Sequence, residues 1–250
     1  MKFRIAFLFF KVFRLFERIA AYAQGKGYGA ATIQLEVTTL LHLLGSKPLL
    51  AVDIGGNVGN YTAELRKRNL DLEIHIFEPS LTNIEKLRRR FDADNSVRIV
   101  PFGVSDKTGL ATLYSNESGS GLGSLSLRRL DHFGIFFNKS EQISTVRFED
   151  YWVESLQKKT IDIAKIDIEG FELSALMGFG KAVKATKVFQ FEFGGCNIDT
   201  RTFFQDFWYF FSEHGFDLYR ITPFGAEKID RYRESDEFFS TTNYIAVNRQ

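Results

Sequence analysis

The stretch AVDIGGNVGNYT, Ala51–Thr62, runs a short apolar strand through an acid into two adjacent glycines, an asparagine and a third glycine, then resumes a helical pattern. With KPLL ahead of it, the stretch reads as a buried strand, a tight turn and a helix over Val58–Asn69. A turn built on glycine lets backbone come close to a ligand. The strand–turn–helix unit is the first half of a βαβ fold.

The rest of the chain repeats the alternation. EIHIFEP is a strand, Leu81–Phe91 a helix with a charged face, and VRIVPFGV a third strand. ATLYS and QISTVRF are shorter strand-like pieces around the glycine-rich loop Ser118–Leu125. IDIAKIDIEG is a strand ending in acids, followed by a helix from Phe171; KVFQFEF is a strand and Arg201–His214 a helix. FDLYRI and TNYIAVN close the chain with only GAEKIDRYRESDE between them, so they are expected as antiparallel neighbours. Phe204, Phe207, Trp208 and Phe211 fall at helical spacing and read as core. The expectation is an α/β fold with a seven-stranded, mostly parallel sheet, an antiparallel last strand and helices on both faces. A helical segment, 1–46, with its second helix over Ala30–Leu44, precedes a single domain, 47–250.

In such a sheet, ligands bind beyond the carboxyl ends of the strands, where strand order reverses. Gly55, Gly56 and Gly59 give GGxxG, not the GxGxxG of a dinucleotide site. Asp53 before the turn would repel a diphosphate and suits a ligand with positive charge there. S-adenosylmethionine has a sulfonium and an amino group and no phosphate. Gly55, Gly56, Asn57, Gly59 and Tyr61 are its expected contacts around the turn. Glu78, ending the second strand, can accept hydrogen bonds from both ribose hydroxyls. Pro79 stops that strand, and Ser80 can cap the next helix. Val104 or Ser105, at the end of the third strand, would flank the adenine; Asp106 reads as a turn-former.

VDIGGNVGNYT, FEPS, GVSDKTG and KIDIEGFE, in this order over about Ala51–Phe193, resemble the FkbM family of S-adenosylmethionine-dependent methyltransferases. The family usually has alanine at Gly56. The resemblance implies a Rossmann-like class I methyltransferase fold. It also implies O-methylation of a sugar hydroxyl in a polysaccharide or glycolipid, or of a hydroxyl in a secondary metabolite.

A sugar hydroxyl is a weak nucleophile and must pass its proton to a positioned base. Asp167 and Glu169, two apart at the end of the fourth strand, can face one side. Asp167 is the first candidate base, or a partner of the methionine moiety, and Glu169 an assistant. Glu172 reads as a first-turn helix acid. Glu192 ends the next strand between Phe191 and Phe193, which would desolvate it and raise its pKa. Asp167 and Glu192 can alternatively chelate a divalent cation. His132 is a spare base candidate.

The totals narrow the partners. The 250 residues carry net charge +1, which gives no field favouring nucleic acid. Cys196 is the one cysteine, so no internal disulfide forms and a cytoplasmic, reducing setting is expected. The four histidines, His42, His75, His132 and His214, show no metal-ligand spacing. In MKFRIAFLFFKVFRLFERIA, Lys11, Arg14 and Arg18 interrupt the apolar run, which excludes a signal peptide and a membrane span of ~20 residues. Arg4, Lys11, Arg14 and Arg18 share a helical stripe away from Phe3, Phe7, Phe10, Phe13 and Leu15. Residues 1–24 therefore either pack on protein or lie on the inner membrane surface. Against catalysis stand two alternatives: a non-catalytic S-adenosylmethionine-binding or assembly subunit, and a nicotinamide oxidoreductase that the GGxxG spacing disfavours.

Overall fold

The computed structural model describes residues 2–29 and 32–249, with side chains from residue 9 onward. Ala30 and the side chains of Phe3, Arg4 and Phe7 lie outside the described residues. The helices are α1 (Lys2–Ala23), α2 (Ile33–Leu44), α3 (Asn60–Arg68), α4 (Leu81–Phe91), α5 (Phe148–Glu154), α6 (Glu172–Phe179), α7 (Cys196–Thr200) and α8 (Phe204–Glu213). The strands are β1 (Leu50–Ile54), β2 (Glu73–Phe77), β3 (Val97–Val100), β4 (Gly103–Ser105), β5 (Gly109–Ser115) and β6 (Lys139–Arg147). They continue as β7 (Ile161–Ile166), β8 (Thr186–Phe193), β9 (Phe216–Thr222), β10 (Gly225–Ile229) and β11 (Thr242–Asn248).

The main sheet has eight strands in the order β10-β9-β11-β8-β7-β1-β2-β3. The strands from β8 to β3 pair in parallel, and β11 runs antiparallel to both β8 and β9. The expected antiparallel closure is present, with β10 as an added edge strand paired to β9. Its sequence GAEKI has no buried residue, so it offers no strand-like apolar alternation. VRIVPFGV is not one strand. Pro101 follows β3, and Gly103–Ser105 joins β6 and β5 in a separate three-stranded sheet. The helices α5 and α7 were not expected.

Every residue of β1 and β7 is buried, because helices cover both faces of the sheet. One face carries Val52, Ile54, Ala164, Ile166, Phe189, Phe191 and Phe193 against α5, α6 and α8. Phe191 stacks on Phe207 at 4.9 Å between centroids and on Phe211 at 5.1 Å. Phe204, Phe207 and Phe211 are core as expected, and Trp208 is half-buried. The other face carries Ala51, Ile74, Ile76, Ile163, Val188 and Ile245 against α2 and α3. Val37 and Leu40 of α2 belong to this core. Before α2 the chain is tied to the sheet: Gly27 N donates to Thr242 Oγ1 at 3.0 Å, and that hydroxyl donates to Gly25 O at 3.2 Å. By contrast, residues 9–20 of α1 are all exposed.

Phe191→Ala removes a ring stacked on Phe207, Phe211 and Tyr244 and should cost about 3–5 kcal/mol of unfolding free energy, read from urea denaturation. A loss below about 1 kcal/mol would mean this core collapses around the gap.

Candidate active site

Strand order reverses between β1 and β7, and the site lies beyond the carboxyl ends of these strands. The glycine turn leaves β1 with the N–H groups of Gly55 and Gly56 both donating to Phe77 O, at 2.9 and 3.1 Å. Gly55 has φ +79°, and a Cβ there would sit 1.9 Å from Asp167 O. A Cβ on Gly56 would meet Ile76 Cγ2 at 2.1 Å, so this chain's isoleucine leaves no room for the usual alanine. Gly59 precedes α3 as its N-cap and lines neither cavity described below.

Glu78 ties the turn to α4. Its Oε2 accepts from Asn57 N at 2.8 Å and its Oε1 from Ser80 N at 2.9 Å. Burial pushes its pKa up to about 7, against the pull of these backbone donors. Ser80 stands at the N-cap of α4, but its hydroxyl makes no capping bond. Glu141 Oε1 instead accepts from Leu81 N at 3.0 Å. The Ser80 hydroxyl and Asn57 Oδ1 are buried without a hydrogen-bond partner.

Both orphaned groups belong to residues lining a cavity of about 890 Å³, counting solvent at its mouth. Pro79, Glu78, Val104 and Phe77 form one wall, with Asp167 and Glu169 at the end. Ser105 turns away, its hydroxyl donating to Asp106 at 3.1 Å and meeting Ser174 Oγ at 3.1 Å. The glycine-rich loop closes the opposite side: a Cβ on Gly121 would lie 3.0 Å from Asn57 Nδ2. Ser124 Oγ fastens the loop by donating to Glu169 O at 2.7 Å.

A second cavity, about 640 Å³ on the same measure, shares Gly55, Asn57 and Asp167 with the first. Lys165, Tyr61, Glu36 and Glu192 line it. Asp53 lines neither: its Oδ2 accepts from Thr62 Oγ1 at 2.7 Å, and Lys165 Nζ lies 3.5 Å from its Oδ1. Lys165 Nζ also lies 3.3 Å from Asp167 Oδ2. Burial alone would lower the pKa of this ammonium, but Asp167 and Asp53 more than offset it and the pKa is raised. Tyr61 donates its hydroxyl to Gln190 Oε1 at 2.8 Å.

The acids converge as expected, though for different reasons. Asp167 follows the last residue of β7, and Glu169 sits at φ +57° in the turn beyond it. Glu172 Oε1 holds that turn, accepting from Ile168 N at 2.9 Å and Gly170 N at 3.0 Å. Burial, with Asp167 nearby, pushes Glu169 up to about 8 against the pull of Arg128. Arg128, buried in a loop without a motif, pairs with Glu169 and with Asp199. Phe191 and Phe193 do not surround Glu192, because strand alternation sends them to the opposite face. Burial raises Glu192 well above the usual carboxylate range, with Asp167 and Glu169 adding to the shift. Oxygens of Glu169 and Glu192 and Cys196 Sγ lie within 4.8 Å of one another. Of the two expected metal ligands, Asp167 already faces the Lys165 ammonium. His132 is exposed, its ring tilted against Phe133 at 4.2 Å between centroids, and lines neither cavity.

The Methyltransferase FkbM domain matches residues 53–218, more than half of the chain. The chain belongs to the FkbM methyltransferase family. It is an S-adenosylmethionine-dependent methyltransferase. No curated protein sequence matches it. Among solved structures it is similar to a precorrin-6y C5,15-methyltransferase from Geobacter metallireducens GS-15 at TM-score 0.45 and 11% identity, covering 85% of this chain and 87% of that one. It is also similar to an rRNA methylase from Streptococcus thermophilus at TM-score 0.46 and 12% identity, covering 86% and 97%. The first cavity of this FkbM protein fits the donor's nucleoside. Apolar walls suit an uncharged base, Glu78 suits a pair of hydroxyls, and the orphaned Ser80 and Asn57 atoms have capacity for a ligand.

Glu78 and Glu169 have folded-state pKa values above their ordinary 4.5, at about 7 and about 8. Their stabilisation is complete below about 4.5 and is lost as pH rises through those values. The melting temperature of the ligand-free protein should fall from about pH 4.5 to about pH 8, with a shallower slope in Glu169→Gln. Identical slopes in scanning calorimetry would show that Glu169 does not titrate in this window.

Proposed function

We propose that this FkbM methyltransferase methylates a hydroxyl of a sugar in a polysaccharide or glycolipid, or of a secondary metabolite. The observation that carries the reading is the convergence of Asp167, Glu169 and Glu192 at the carboxyl ends of β7 and β8. S-adenosylmethionine supplies a methyl group already activated by its sulfonium. The protein must align the acceptor oxygen, exclude water and take a proton. Asp167 is the one acid lining both cavities, so it stands where donor and acceptor meet. It receives the acceptor's proton, and Lys165 fixes its orientation. Glu192, whose pKa burial raises, lines the second cavity and orients the acceptor. Arg128 pins Glu169, and the loop Ser118–Leu125 shields the reacting atoms from water.

Residues 47–250 are the methyltransferase unit in this reading, and α1 attaches it to a membrane surface. No helix among the described residues is long and apolar enough to cross a membrane. On the α1 wheel, Phe9, Val12, Phe16 and Ile19 form one exposed face, while Lys11, Arg14 and Arg18 form the other. That pattern suits a helix lying in the interface of an anionic leaflet.

Asp167→Asn keeps the size of the side chain but cannot take a proton. Its kcat on an accepted glycan should fall ~10²–10⁴-fold while S-adenosylhomocysteine affinity stays within about threefold. Turnover within about threefold of wild type would remove Asp167 as the base. Absence of turnover by the wild type across a broad glycan and hydroxyl panel would favour an assembly subunit.

In flotation with anionic vesicles, the full-length protein should rise with the lipid. Phe13→Glu with Phe16→Glu should lower the bound fraction ~tenfold or more. Unchanged flotation would leave α1 with a protein-packing role.

A further inference from the structure

A third hollow opens beside the candidate site, and neither the donor nor the reacting hydroxyl uses it. The loop leaving Leu125 forms one wall through Leu127 and Arg129. The other wall is α7 and the residues after it, through Ile198, Arg201 and Phe203. The hollow holds about 1150 Å³, counting solvent at its mouth. It shares no residue with the two cavities. The Arg128 guanidinium stands between, on Glu169 of the first cavity at one side and on Asp199 of this hollow at the other. Asn197 also lines it, one residue after the Cys196 whose Sγ lies within 4.8 Å of the Glu169 and Glu192 oxygens.

The walls are apolar, and the uncommitted charge on them is positive. Leu127 is 58% exposed, Ile198 57% and Phe203 49%, and Phe203 meets Phe239 edge-on at 6.2 Å between centroids. Large apolar side chains left exposed together and rimmed by charge mark a binding surface. Asp199, the one acid lining the hollow, is already paired, with 3.3 Å between its Oδ2 and Arg128 Nε. Arg201 is exposed and its guanidinium makes no ion pair among the described residues. Arg129 has an exposed partner, Asp131 at 3.4 Å, which contributes little. Asn197 is fully buried and its amide is oriented: Oδ1 accepts from Gly194 N at 2.9 Å, while Nδ2 has no hydrogen-bond partner. A buried donor left without an acceptor is costly, and a ligand oxygen would satisfy it. Two forked guanidiniums and an amide nitrogen suit an anion with three acceptor oxygens, as a phosphate ester has.

The hollow also adjoins the root of α1. Phe239 is followed by Ser240 and Thr241, and the chain after α1 packs on both: a Cβ on Gly27 would lie 3.5 Å from Ser240 Cβ, and one on Gly29 2.7 Å from Thr241 O. Lys26 Nζ lies 5.1 Å from the centre of the Phe238 ring. The hollow thus has the acids at one side and the helix with exposed phenylalanines at the other. We propose that it receives the phosphate and the adjoining hydrocarbon of a lipid-linked acceptor. Arg129, Arg201 and Asn197 take the phosphate, and Leu127, Ile198 and Phe203 take the chain. This deepens the reading of the protein as a hydroxyl methyltransferase and rests on it: of the acceptors named there, it selects one carried on a lipid phosphate.

Three small probes separate the parts of the claim: octyl phosphate carries both chain and phosphate, inorganic phosphate lacks the chain, and octyl glucoside lacks the charge. In calorimetric titration of the full-length protein, with the probes kept monomeric, one equivalent of octyl phosphate should bind at least ~tenfold more tightly than either of the others. Arg201→Glu and Phe203→Ser should each weaken octyl phosphate ~tenfold or more, with a cooperative melting curve and unchanged S-adenosylhomocysteine affinity. If Phe203→Ser melts without cooperativity, Ile198→Ser on the exposed side of α7 serves in its place. No octyl phosphate binding by the wild type would overturn the proposal, and so would equal affinity for inorganic phosphate. Binding left intact by either the charge or the apolar variant would overturn it too. Loss in Phe13→Glu with Phe16→Glu alone would move the probe to α1 and overturn it as well. Proton transfer to Asp167 is read from turnover and not from these titrations, so failure of the hydroxyl reading and failure of the hollow show in different measurements.

Discussion

The structure depends on one buried cation. Lys165 stands in the middle of the sheet with Asp53 beside it on β1 and Gln190 beside it on β8, in register. Its ammonium lies 3.5 Å from Asp53 Oδ1, 3.3 Å from Asp167 Oδ2 and 3.3 Å from Gly55 O. A charge in such a place is tolerated only when paired and hydrogen-bonded. Without it, Asp53 and Asp167 would face each other as like charges in a low dielectric. The cation therefore lets an acid at the end of β1 and an acid at the end of β7 coexist where the strand order reverses. The first of these acids holds α3 through Thr62, and the second lines both cavities.

The opposite face of the sheet supplies stiffness. Every second residue of β8 from Phe189 to Phe193 enters a stack of rings that includes Phe207, Phe211 and Tyr244. The intervening residues, Gln190 and Glu192, are then committed to the other face. A slip of one residue would bury Glu192 among phenylalanines and expose Phe191, so the aromatic stack fixes the register that places the acid. The turn after β7 is held as firmly. Glu169 and Gly170 both adopt positive φ, and the Glu172 carboxyl satisfies the N–H groups of that turn. Backbone strain there is offset by a buried acceptor whose own pKa burial pushes up to about 7.

How much of this was legible depended on range. The glycine turn, Glu78 and the acids after β7 were readable because local spacing fixes them: a strand, a turn and a helix within a dozen residues. Alternation of strands and helices gave the parallel sheet and its antiparallel closure. What escaped was set by tertiary contact. GAEKI pairs as an edge strand with no buried side chain to announce it. Asp53 was correctly placed on β1, but its enclosure depends on Lys165 of β7, adjacent in the sheet but distant in sequence, and on Thr62 in the next helix. Arg128 lies in a loop with no pattern and acquires meaning only when Glu169 and Asp199 meet it. Glu36 stands in no motif, and the Gln190 that donates to it comes 154 residues later.

The two halves of the segment before β1 differ in what they bury, and the difference has a direction. The chain after α1 is fastened at Gly25, where a Cβ would touch Ile221 O at 2.4 Å, and at Gly29, where one would touch Thr241 O at 2.7 Å. Ile221 is near the end of β9, and Thr241 immediately precedes β11. Because β11 runs against its neighbours, its start and the end of β9 lie at the same edge of the sheet. That edge also carries Glu192, which is paired in register with Asn243, and the acids beyond β7. The root of α1 is therefore at the active-site end of the molecule. If α1 lies on a membrane as proposed, the chain leaving that membrane joins the domain at the end of the sheet that carries Asp167. On the proposed reading, membrane contact and hydroxyl chemistry would then share one end of the sheet.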